Sequence, residues 1–518
     1  MHFDDVPDDI VVAALARATR HPEERFMHFG RSLSLLAVCR RWRRLALPIV
    51  YSRVTFEYDD MPESASEDTD ANGLRIVSNL DLAVSAGCTG LVREVWCTAF
   101  HMDDALPGLE TIVSRMKRAA ARWARVDTLW VISHSDSHGT SNDDNPDAVT
   151  QSIAEGLIEM LPGVRRLKTD CDSGDVAIGG VSALLVNGYA AQLCSYNGRL
   201  ASLALGCVFK QLERATVSFG SGTGVRPPVI DTGRLQHLEL EGVPLACSWG
   251  AFAGSDSGVG FPELVSLMVD YDASDPGDTA RNSLRLHFPQ LRAARVSCSA
   301  DMCPWLQQAM LPARMARLDL CLSAAAFSSL EEVDIPALER LAVVIHNIPD
   351  PDDLAFVGRF LSRARACKAK ELSLCDRQVV IVPDFVSCVD LTALKVDAPA
   401  SIDTVVLLAE RLQQLQRLAF TDIKPSGVQV DISAHPPDAH APLVPLNTSL
   451  QVLLLKFGGE CGDWDMLAAT THLLARLPSL TKLIAFDVPT RPVLDFAQGY
   501  SALYPHLGHA DSVFYGHY

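Results

Sequence analysis

Short apolar runs recur through most of the chain with one internal pattern. Each run has apolar residues at its first and fourth positions and, in all but the run 164–169, at its sixth, as Leu264, Leu267 and Val269 do. The runs are 92–97, 126–131, 164–169, 200–205, 235–240, 264–269, 291–296, 315–320, 338–343, 369–374, 391–396, 415–420, 450–455 and 480–485. Since side chains alternate between the two faces of a strand, each run predicts a short strand with one buried face.

The segments between the runs are long enough to carry helices. Successive runs start 22 to 38 residues apart, and parallel strands need a crossover of this length. Apolar residues recur at helical spacing in the segments 74–86, 109–124, 149–160, 181–194, 352–366, 402–411 and 466–476. The pattern therefore predicts an α/β fold, a solenoid with parallel strands on one face and helices outside.

Two features leave other interpretations of the repeat open. A weak extra run starts at Leu212, only twelve residues after its predecessor, which indicates a hairpin or a false match. An all-helical solenoid of the HEAT type is the main alternative fold. Runs rich in β-branched residues, such as 341–345, argue against it.

The first residues of the chain have a different, helical pattern. Pro7 suits a first helical turn, and Asp8 and Asp9 favour the positive end of a helix dipole. Ile10 and Leu15 belong to an apolar set with helical spacing. This segment predicts a short amphipathic helix.

A second helix is predicted after a polar break. Leu35, Val38, Trp42 and Leu45 are separated by three, four and three residues, which places them on one helix face. Cys39 and Ala46 widen that face, and Pro48 is expected to end the helix. The remaining side of the helix is basic and is interpreted as a solvated face; it carries Arg40, Arg41, Arg43 and Arg44.

Together, VPDDIVVAAL and LSLLAVCRRWRRLALPIVYSRVTF resemble an F-box. They are especially similar to the F-box-like segments that open many fungal leucine-rich-repeat proteins. The resemblance covers residues 3–56 and implies binding to the Skp1 adaptor of a cullin–RING ubiquitin ligase. By motif, the implied partner-binding residues are Val6, Pro7, Ile10, Val38, Cys39 and Trp42. The alternative is a small bundle that only caps the following domain.

The sequence departs from the family pattern at three of these early positions. Val6 stands where Leu is usual, and Asp8 and Asp9 stand where Glu is common. The later runs resemble an irregular leucine-rich repeat that lacks the usual Asn or Cys after the last strand leucine. The expected organisation is an F-box-like module (1–58), an acidic loop (59–73), a degenerate leucine-rich-repeat solenoid (74–487) and an aromatic C-terminal cap (488–518).

Composition narrows the class of protein. With 518 residues, 48% of them hydrophobic, the chain can form a large core. It has 45 Lys and Arg against 63 Asp and Glu, a net charge of −18 that disfavours nucleic acid and anionic membrane as partners. Its cysteines form no CxxC pair, and no signal peptide or long apolar stretch occurs. We therefore expect reduced thiols and a cytoplasmic or nuclear location.

No arrangement in the sequence points to catalysis. His134 and His138 lie among aspartates without an organising element, and a solvated loop is the better interpretation. Gly220, Gly222 and Gly224 lack the Lys-Ser/Thr of a phosphate-binding loop. We expect no catalytic, cofactor-binding or metal-binding residues, and therefore no enzyme.

The expected function is substrate recognition in an SCF-type ubiquitin ligase. The N-terminal helices would bind a Skp1-like adaptor and its cullin complex, and the repeat surface would bind an unidentified protein substrate. The alternative is a non-catalytic leucine-rich-repeat scaffold or receptor that does not bind Skp1. The positions beside the strand leucines form no readable code for a target: Glu239, Arg295, Asp319, Ser373 and Lys395.

Overall fold

The structure, a computed structural model, falls into two compact units: unit 1 is Met1–Gly242 with Ser248–Gly260, and unit 2 is Val243–Cys247 with Phe261–Tyr518. It describes residues 6–19, 36–59, 75–100, 106–119, 123–134, 148–171, 176–199, 208–219, 229–230, 233–244, 259–272, 286–300, 303, 306, 309–330, 333–346, 353–364, 366–375, 390–424, 445–457 and 476–486. Several predictions fall outside these residues: Leu35, His138, the acidic loop after residue 59, the run 200–205, Gly220 to Gly224, the helix 466–476 before residue 476, and the cap 488–518.

Unit 1 begins with two helices, α1 (Asp8–Thr19) and α2 (Arg40–Val50), which contact each other. α1 follows the predicted pattern in part, because Val11 and Leu15 are buried one turn apart. On α2 the buried residues are Ala46 and Val50. The small buried face of each helix is enough to pair them.

Two predictions for α2 are wrong. The helix begins at Arg40, so Val38 precedes it and does not share its apolar face. It also continues through Pro48 to Val50. Proline has no backbone N–H to donate, so this site costs the last turn one hydrogen bond. The Tyr51 amide still bonds to the Leu47 carbonyl at 3.0 Å, and the turn closes.

The strands that lie or begin in unit 1 are β1 (Arg53–Asp59), β2 (Arg75–Ser78), β3 (Glu94–Phe100), β4 (Thr128–His134), β5 (Arg166–Cys171), β6 (Ser195–Arg199), β7 (Val208–Phe209), β8 (Arg214–Ser218), β9 (Val229–Ile230), β10 (His237–Pro244) and β11 (Val259–Gly260). Parallel pairing runs from β1 through β3, β4, β5, β6 and β8 to β10. β2 is antiparallel to β1, and the short strands β7 and β9 pair separately.

The other helices in the described residues of unit 1 are α3 (Leu80–Ser85), α4 (Leu106–Arg118), α5 (Ala148–Met160) and α6 (Val176–Tyr189), with a 3-10 helix at Thr89–Leu91. Two glycines allow close packing. A Cβ at Gly108 of α4 would lie 2.3 Å from the Tyr58 ring on β1, and one at Gly188 of α6 would lie 2.3 Å from Ile158 of α5. The helices therefore pack tightly on the sheet and on each other.

The main strands of unit 2 are β12 (Ser266–Asp272), β14 (Ala293–Cys298), β16 (Arg317–Ser323), β17 (Arg340–His346), β18 (Ala369–Leu374), β19 (Ala393–Ser401), β20 (Arg417–Lys424), β21 (Val452–Phe457) and β22 (Lys482–Phe486). Each pairs parallel with the next in this order. The short strands β13 (Leu286–His287) and β15 (Ala309–Met310) pair with each other. Where the structure describes unit 2, its helices are α7 (Asp353–Arg363), α8 (Ile402–Arg411) and a 3-10 helix at Ala325–Leu330.

The predicted runs coincide with these strands wherever the structure describes them. All but one strand begin two residues after the first apolar residue of the run. That first residue is buried in the preceding turn, as Leu264 and Leu291 are. Along the strands, buried and partly exposed residues alternate. The α/β prediction is confirmed, and the all-helical alternative is wrong.

Two smaller predictions are corrected. The weak run at Leu212 is neither a hairpin nor a false match, because β8 lies parallel between β6 and β10. The segment 74–86 is not one helix, because 75–78 form β2 and only Leu80–Ser85 are helical. The number of residues from one parallel strand to the next therefore varies along the sheet.

Buried polar side chains form hydrogen bonds with backbone groups that have no partner in the strands. The Asn447 side chain is fully buried and donates to the carbonyls of Ala409 and Leu412. Its Oδ1 accepts the amides of Ser449 and Leu450. Four hydrogen bonds on one buried side chain satisfy groups that would otherwise lose water without compensation.

A buried lysine has a similar role in β18. Lys370 is 1% exposed and stands opposite Leu341 in the register. Its ammonium donates to the Leu361 carbonyl in the last turn of α7 at 3.0 Å and pairs with Asp390 at 2.5 Å. A cation is favoured there because the carbonyl end of a helix is electronegative.

Candidate functional site

The predicted partner-binding residues come from two short stretches that meet at the starts of α1 and α2. Arg41, in the first turn of α2, donates to the carbonyl of Val6 and to Asp8 Oδ1, the latter from Nε at 2.8 Å. Arg44 reaches Asp8 Oδ2 at 3.1 Å. These contacts bring the Val6–Pro7 end of α1 to the Cys39–Trp42 end of α2.

The interpretation of the arginines as a solvated face is wrong for one of them. The Arg41 side chain is only 23% exposed, whereas that of Arg44 is 71% exposed. Arg41 therefore serves as the clamp between the two helices. Arg40 and Arg43 are exposed, as the sequence predicts.

Cys39 is the N-cap of α2. Its backbone is extended, and its sulfur accepts the amide of Trp42 at 3.4 Å. The backbone carbonyl of Cys39 accepts the Arg43 amide at 2.9 Å. A sulfur is a weak acceptor at this position, where Ser, Thr, Asp or Asn is usual. The Cys39 thiol is exposed.

The candidates differ in exposure. Ile10 is 55% exposed and Val38 is 58% exposed, and Val12 of α1 is 36% exposed. Pro7 is also exposed, whereas Val6 and Trp42 are half-buried. Among the described residues, the other exposed large apolar side chains are Leu82, Val84 and Val149. The two most exposed of these apolar side chains thus lie on α1 and just before α2.

A second cluster, absent from the sequence prediction, lies on the strands of unit 1. The rings of Trp96 on β3 and Trp130 on β4 stack with centroids 3.8 Å apart and an interplanar angle of 8°. The Arg53 guanidinium lies 3.7 Å from the Trp96 centroid, and the Lys168 ammonium lies 4.8 Å from that of Trp130. Glu94 accepts from Arg53 and from the Trp96 indole, at 3.0 and 3.1 Å.

This cluster belongs to a longer set of residues that we call the cross-strand row. Its members occupy matching positions on six neighbouring strands and are partly exposed. In order from β3 to β10 they are Trp96, Trp130, Lys168, Asn197, Thr216 and Glu239. The sequence did contain a signal for the first three, because each is the fifth residue of its run.

The strand face of unit 2 has paired charges instead. Glu371 is bound by Arg340 at 2.6 Å and by Arg417 at 3.0 Å. Arg317 pairs with Asp319 on its own strand at 2.5 Å. Asp319 is one of the positions that the sequence gives as beside a strand leucine. Its charge is matched within the sheet.

One thiol of unit 2 contacts an imidazole. The sulfur of Cys321 lies 2.8 Å from Nε2 of His346. Burial raises the pKa of the Cys321 thiol, and a hydrogen bond from Ser297 and the charge of Arg295 only partly oppose this. The raised pKa of the thiol disfavours the thiolate that nucleophilic catalysis requires.

The described ranges hold neither a metal site nor a membrane-spanning helix. Three or more His, Cys, Asp or Glu side chains able to share a metal ion do not occur together there. The helices in those ranges are each too short or too polar to cross a membrane. Comparison with known proteins adds no assignment, since no protein-family model and no curated protein sequence matches this chain.

Proposed function

We propose that α1 and α2 form an F-box-like module that binds a Skp1-like adaptor. The chain is then the substrate-recognition subunit of an SCF-type ubiquitin ligase, with the strand faces of an irregular leucine-rich repeat available to a protein target. Its work is positional, because holding a target near a ubiquitin-loaded enzyme raises the effective concentration. The module resembles an F-box at Val6, Pro7, Ile10, Val38, Cys39 and Trp42.

The exposure of Ile10 and Val38 carries the proposal. The strands bury their apolar residues almost completely, yet these two side chains are more than half exposed. Both are positions that the F-box resemblance assigns to the adaptor interface. Exposed apolar surface is a feature of binding sites, and the motif places these two side chains at one.

The clamp between the helices supports the same proposal. Arg41 fixes the start of α1 against the start of α2 through Val6 and Asp8. A surface that is ordered before binding loses less conformational entropy when a partner docks. The clamp therefore favours binding without adding an apolar contact of its own.

Binding of the full-length protein to purified Skp1, measured by calorimetry, tests the proposal. Ile10→Asp and Val38→Asp should each weaken binding by about tenfold or more, because each places a charge in an apolar interface. Val149→Asp is the matched control, since Val149 is 41% exposed on α5, outside the module. Equal effects of all three variants contradict the proposal.

The Cys39 thiol gives a second measurement that needs no mutation. Iodoacetamide should alkylate the exposed Cys39 in the unbound protein and do so more slowly when Skp1 is bound. Cys97 is the internal reference, because burial raises the pKa of its thiol to about 12 and keeps it unreactive in either state. Unchanged alkylation of Cys39 in a saturated mixture contradicts the proposed interface.

A non-catalytic scaffold is the second candidate. The cross-strand row favours it, because that surface can bind a target without any adaptor. Folded full-length protein that shows no heat of binding with Skp1 at micromolar concentrations would leave this candidate in place of the ligase subunit.

A further inference from the structure

We propose that the cross-strand row of unit 1 binds an extended peptide that carries an acidic side chain and a basic side chain about four residues apart. This deepens the target-recognition half of the proposed function and does not depend on the adaptor half. The juxtaposition that carries it is a cationic, aromatic end at Trp130 and Lys168 and an acidic end at Glu239, in one register.

The aromatic end is rigid and presents its ring edges. Arg53 and Lys168 occupy the outer ring faces of Trp96 and Trp130, and the inner faces stack on each other. A base or a second ring therefore has no open π-face to stack on. Ring edges are electropositive. Arg53 is already paired with Glu94, so the cation that favours a ligand carboxylate at this end is Lys168.

The Trp130 indole supplies a hydrogen-bond donor for such a carboxylate. The indole N–H of Trp96 is used by Glu94, but within the described ranges the indole N–H of Trp130 donates no hydrogen bond, and Trp130 is partly exposed. Its neighbour in the row is the Lys168 ammonium. An indole N–H beside an ammonium can bind one carboxylate through a charge-assisted hydrogen bond.

The other end of the row attracts a cation. Thr216 donates to Glu239 Oε2 at 3.1 Å, and Ser218 donates to Glu241 Oε2 at 3.0 Å. These hydroxyls orient the two carboxylates. Among the described residues, neither glutamate forms an ion pair, in contrast to Glu371 of unit 2 with its two arginines. A basic side chain of a ligand would supply the missing charge.

The spacing of the ends sets the ligand. Lys168 and Glu239 are three strand spacings apart, which is about 14 Å, and an extended peptide covers that distance in about four residues. Between them lie the short polar side chains of Asn197 and Thr216, which are suited to hydrogen bonds with a peptide backbone. A nucleic acid fits worse, because its phosphates meet Glu239 and its bases find no open ring.

A phage-displayed library of random dodecapeptides, selected on the full-length protein without Skp1, tests the inference. We expect enriched peptides to share an acidic and a basic residue about four positions apart, in one order. Charge exchange in the double variant Lys168→Glu, Glu239→Lys should enrich the opposite order. No enrichment on folded protein, or the same order on the exchanged variant, overturns the inference.

Affinities of one enriched peptide, measured by fluorescence anisotropy, give the contributions of single residues. Lys168→Gln and Glu239→Gln should each weaken binding by about fivefold to tenfold. Lys368→Gln is the matched control, since that lysine is 79% exposed in unit 2. Equal loss in all three variants, or displacement of the peptide by a single-stranded oligonucleotide, also overturns the inference.

The adaptor proposal and this inference fail separately. Ile10→Asp lies on α1 and should leave peptide affinity unchanged while it weakens Skp1 binding. Skp1 binding without peptide enrichment removes the row as the target site and leaves the adaptor module. Peptide binding without Skp1 binding leaves the scaffold.

Discussion

The helix pair and the parallel strands use apolar residues in opposite ways. On the strands, leucines such as Leu318 and Leu341 are fully buried, and charged side chains other than Lys370 lie on the partly exposed face. An arginine clamp lies between α1 and α2, while Ile10 on α1 and Val38, just before α2, are exposed. The strands bury their apolar surface on folding, whereas the helix pair and the residues before α2 keep part of theirs exposed.

An apolar face that stays exposed has to be interpreted differently from one that is buried. Burial of apolar surface is the main favourable term in folding, so a face that stays exposed contributes little to stability. Its retention then points to binding. Substitutions of buried strand residues should therefore lower stability, and substitutions of exposed residues at the helix pair should lower binding.

The largest effect is expected for Leu341→Ala in β17. Leu341 is fully buried and pairs with Leu318 and Lys370 in the register. Truncation leaves a cavity, and we expect it to lower the free energy of unfolding by about 2–5 kcal/mol. Urea unfolding followed by circular dichroism measures this. A loss below that of a surface substitution would mean that the strand core is not closely packed.

A comparable but smaller loss is expected for Asn447→Ala. The substitution removes four hydrogen bonds and leaves the amides of Ser449 and Leu450 without their acceptor. We expect about 2–3 kcal/mol, because unsatisfied buried groups cost about 1–3 kcal/mol each and water can reach some of them. Urea unfolding is again the measurement, with Ser449→Ala as control, since the Ser449 side chain is partly exposed. Equal stability of the two variants would contradict the role of Asn447.

The stacked tryptophans should be coupled by a smaller amount. Trp96→Leu and Trp130→Leu each remove the contact at 3.8 Å. In a double-mutant cycle we expect a coupling energy of about 1 kcal/mol, because stacked aromatic pairs contribute that much beyond burial. Additive losses would show that the rings are only neighbours. The row would then lack the rigidity that the peptide inference uses.

Acid should weaken a charged contact at the start of β4. Burial raises the pKa of Asp127, but hydrogen bonds from Thr128 and Arg166 and the Arg166 charge outweigh it, so the pKa lies below the usual value. The resulting stability is present above the unfolded-state pKa of about 3.9 and is lost as pH falls through the folded-state pKa. The difference in unfolding free energy between wild type and Asp127→Asn should therefore shrink as pH is lowered below about 4. A constant difference contradicts the pairing.

The sequence predicts the strands better than the surfaces between them. The alternation around Leu318 and Leu341 specifies a buried face whatever the neighbouring strand is. Lys370, by contrast, occupies a core position because α7 ends above it, and no local pattern encodes that contact. The start of α2 at Arg40 was missed because Val38 fits the helical spacing, while the cap depends on the backbone of Cys39.

The candidate sites show the same limit. Ile10 and Val38 could be named from the F-box resemblance, but apolar spacing alone predicts burial for them, which is wrong. Trp96, Trp130 and Lys168 share the fifth position of their runs, so their alignment was available in the sequence. Their stacking was not, because it depends on the register between strands that lie about 35 residues apart.

Ile10→Asp is expected to have the smallest effect on stability. Ile10→Asp should change the unfolding free energy by no more than about 0.5 kcal/mol, because the side chain is 55% exposed and loses little contact. The same substitution should strongly weaken Skp1 binding. If Ile10→Asp instead destabilises the protein as Val11→Asp does, with Val11 only 5% exposed, then Ile10 belongs to the core of the helix pair. A residue needed for that core is not reserved for a partner, and the contrast between the helices and the strands would disappear.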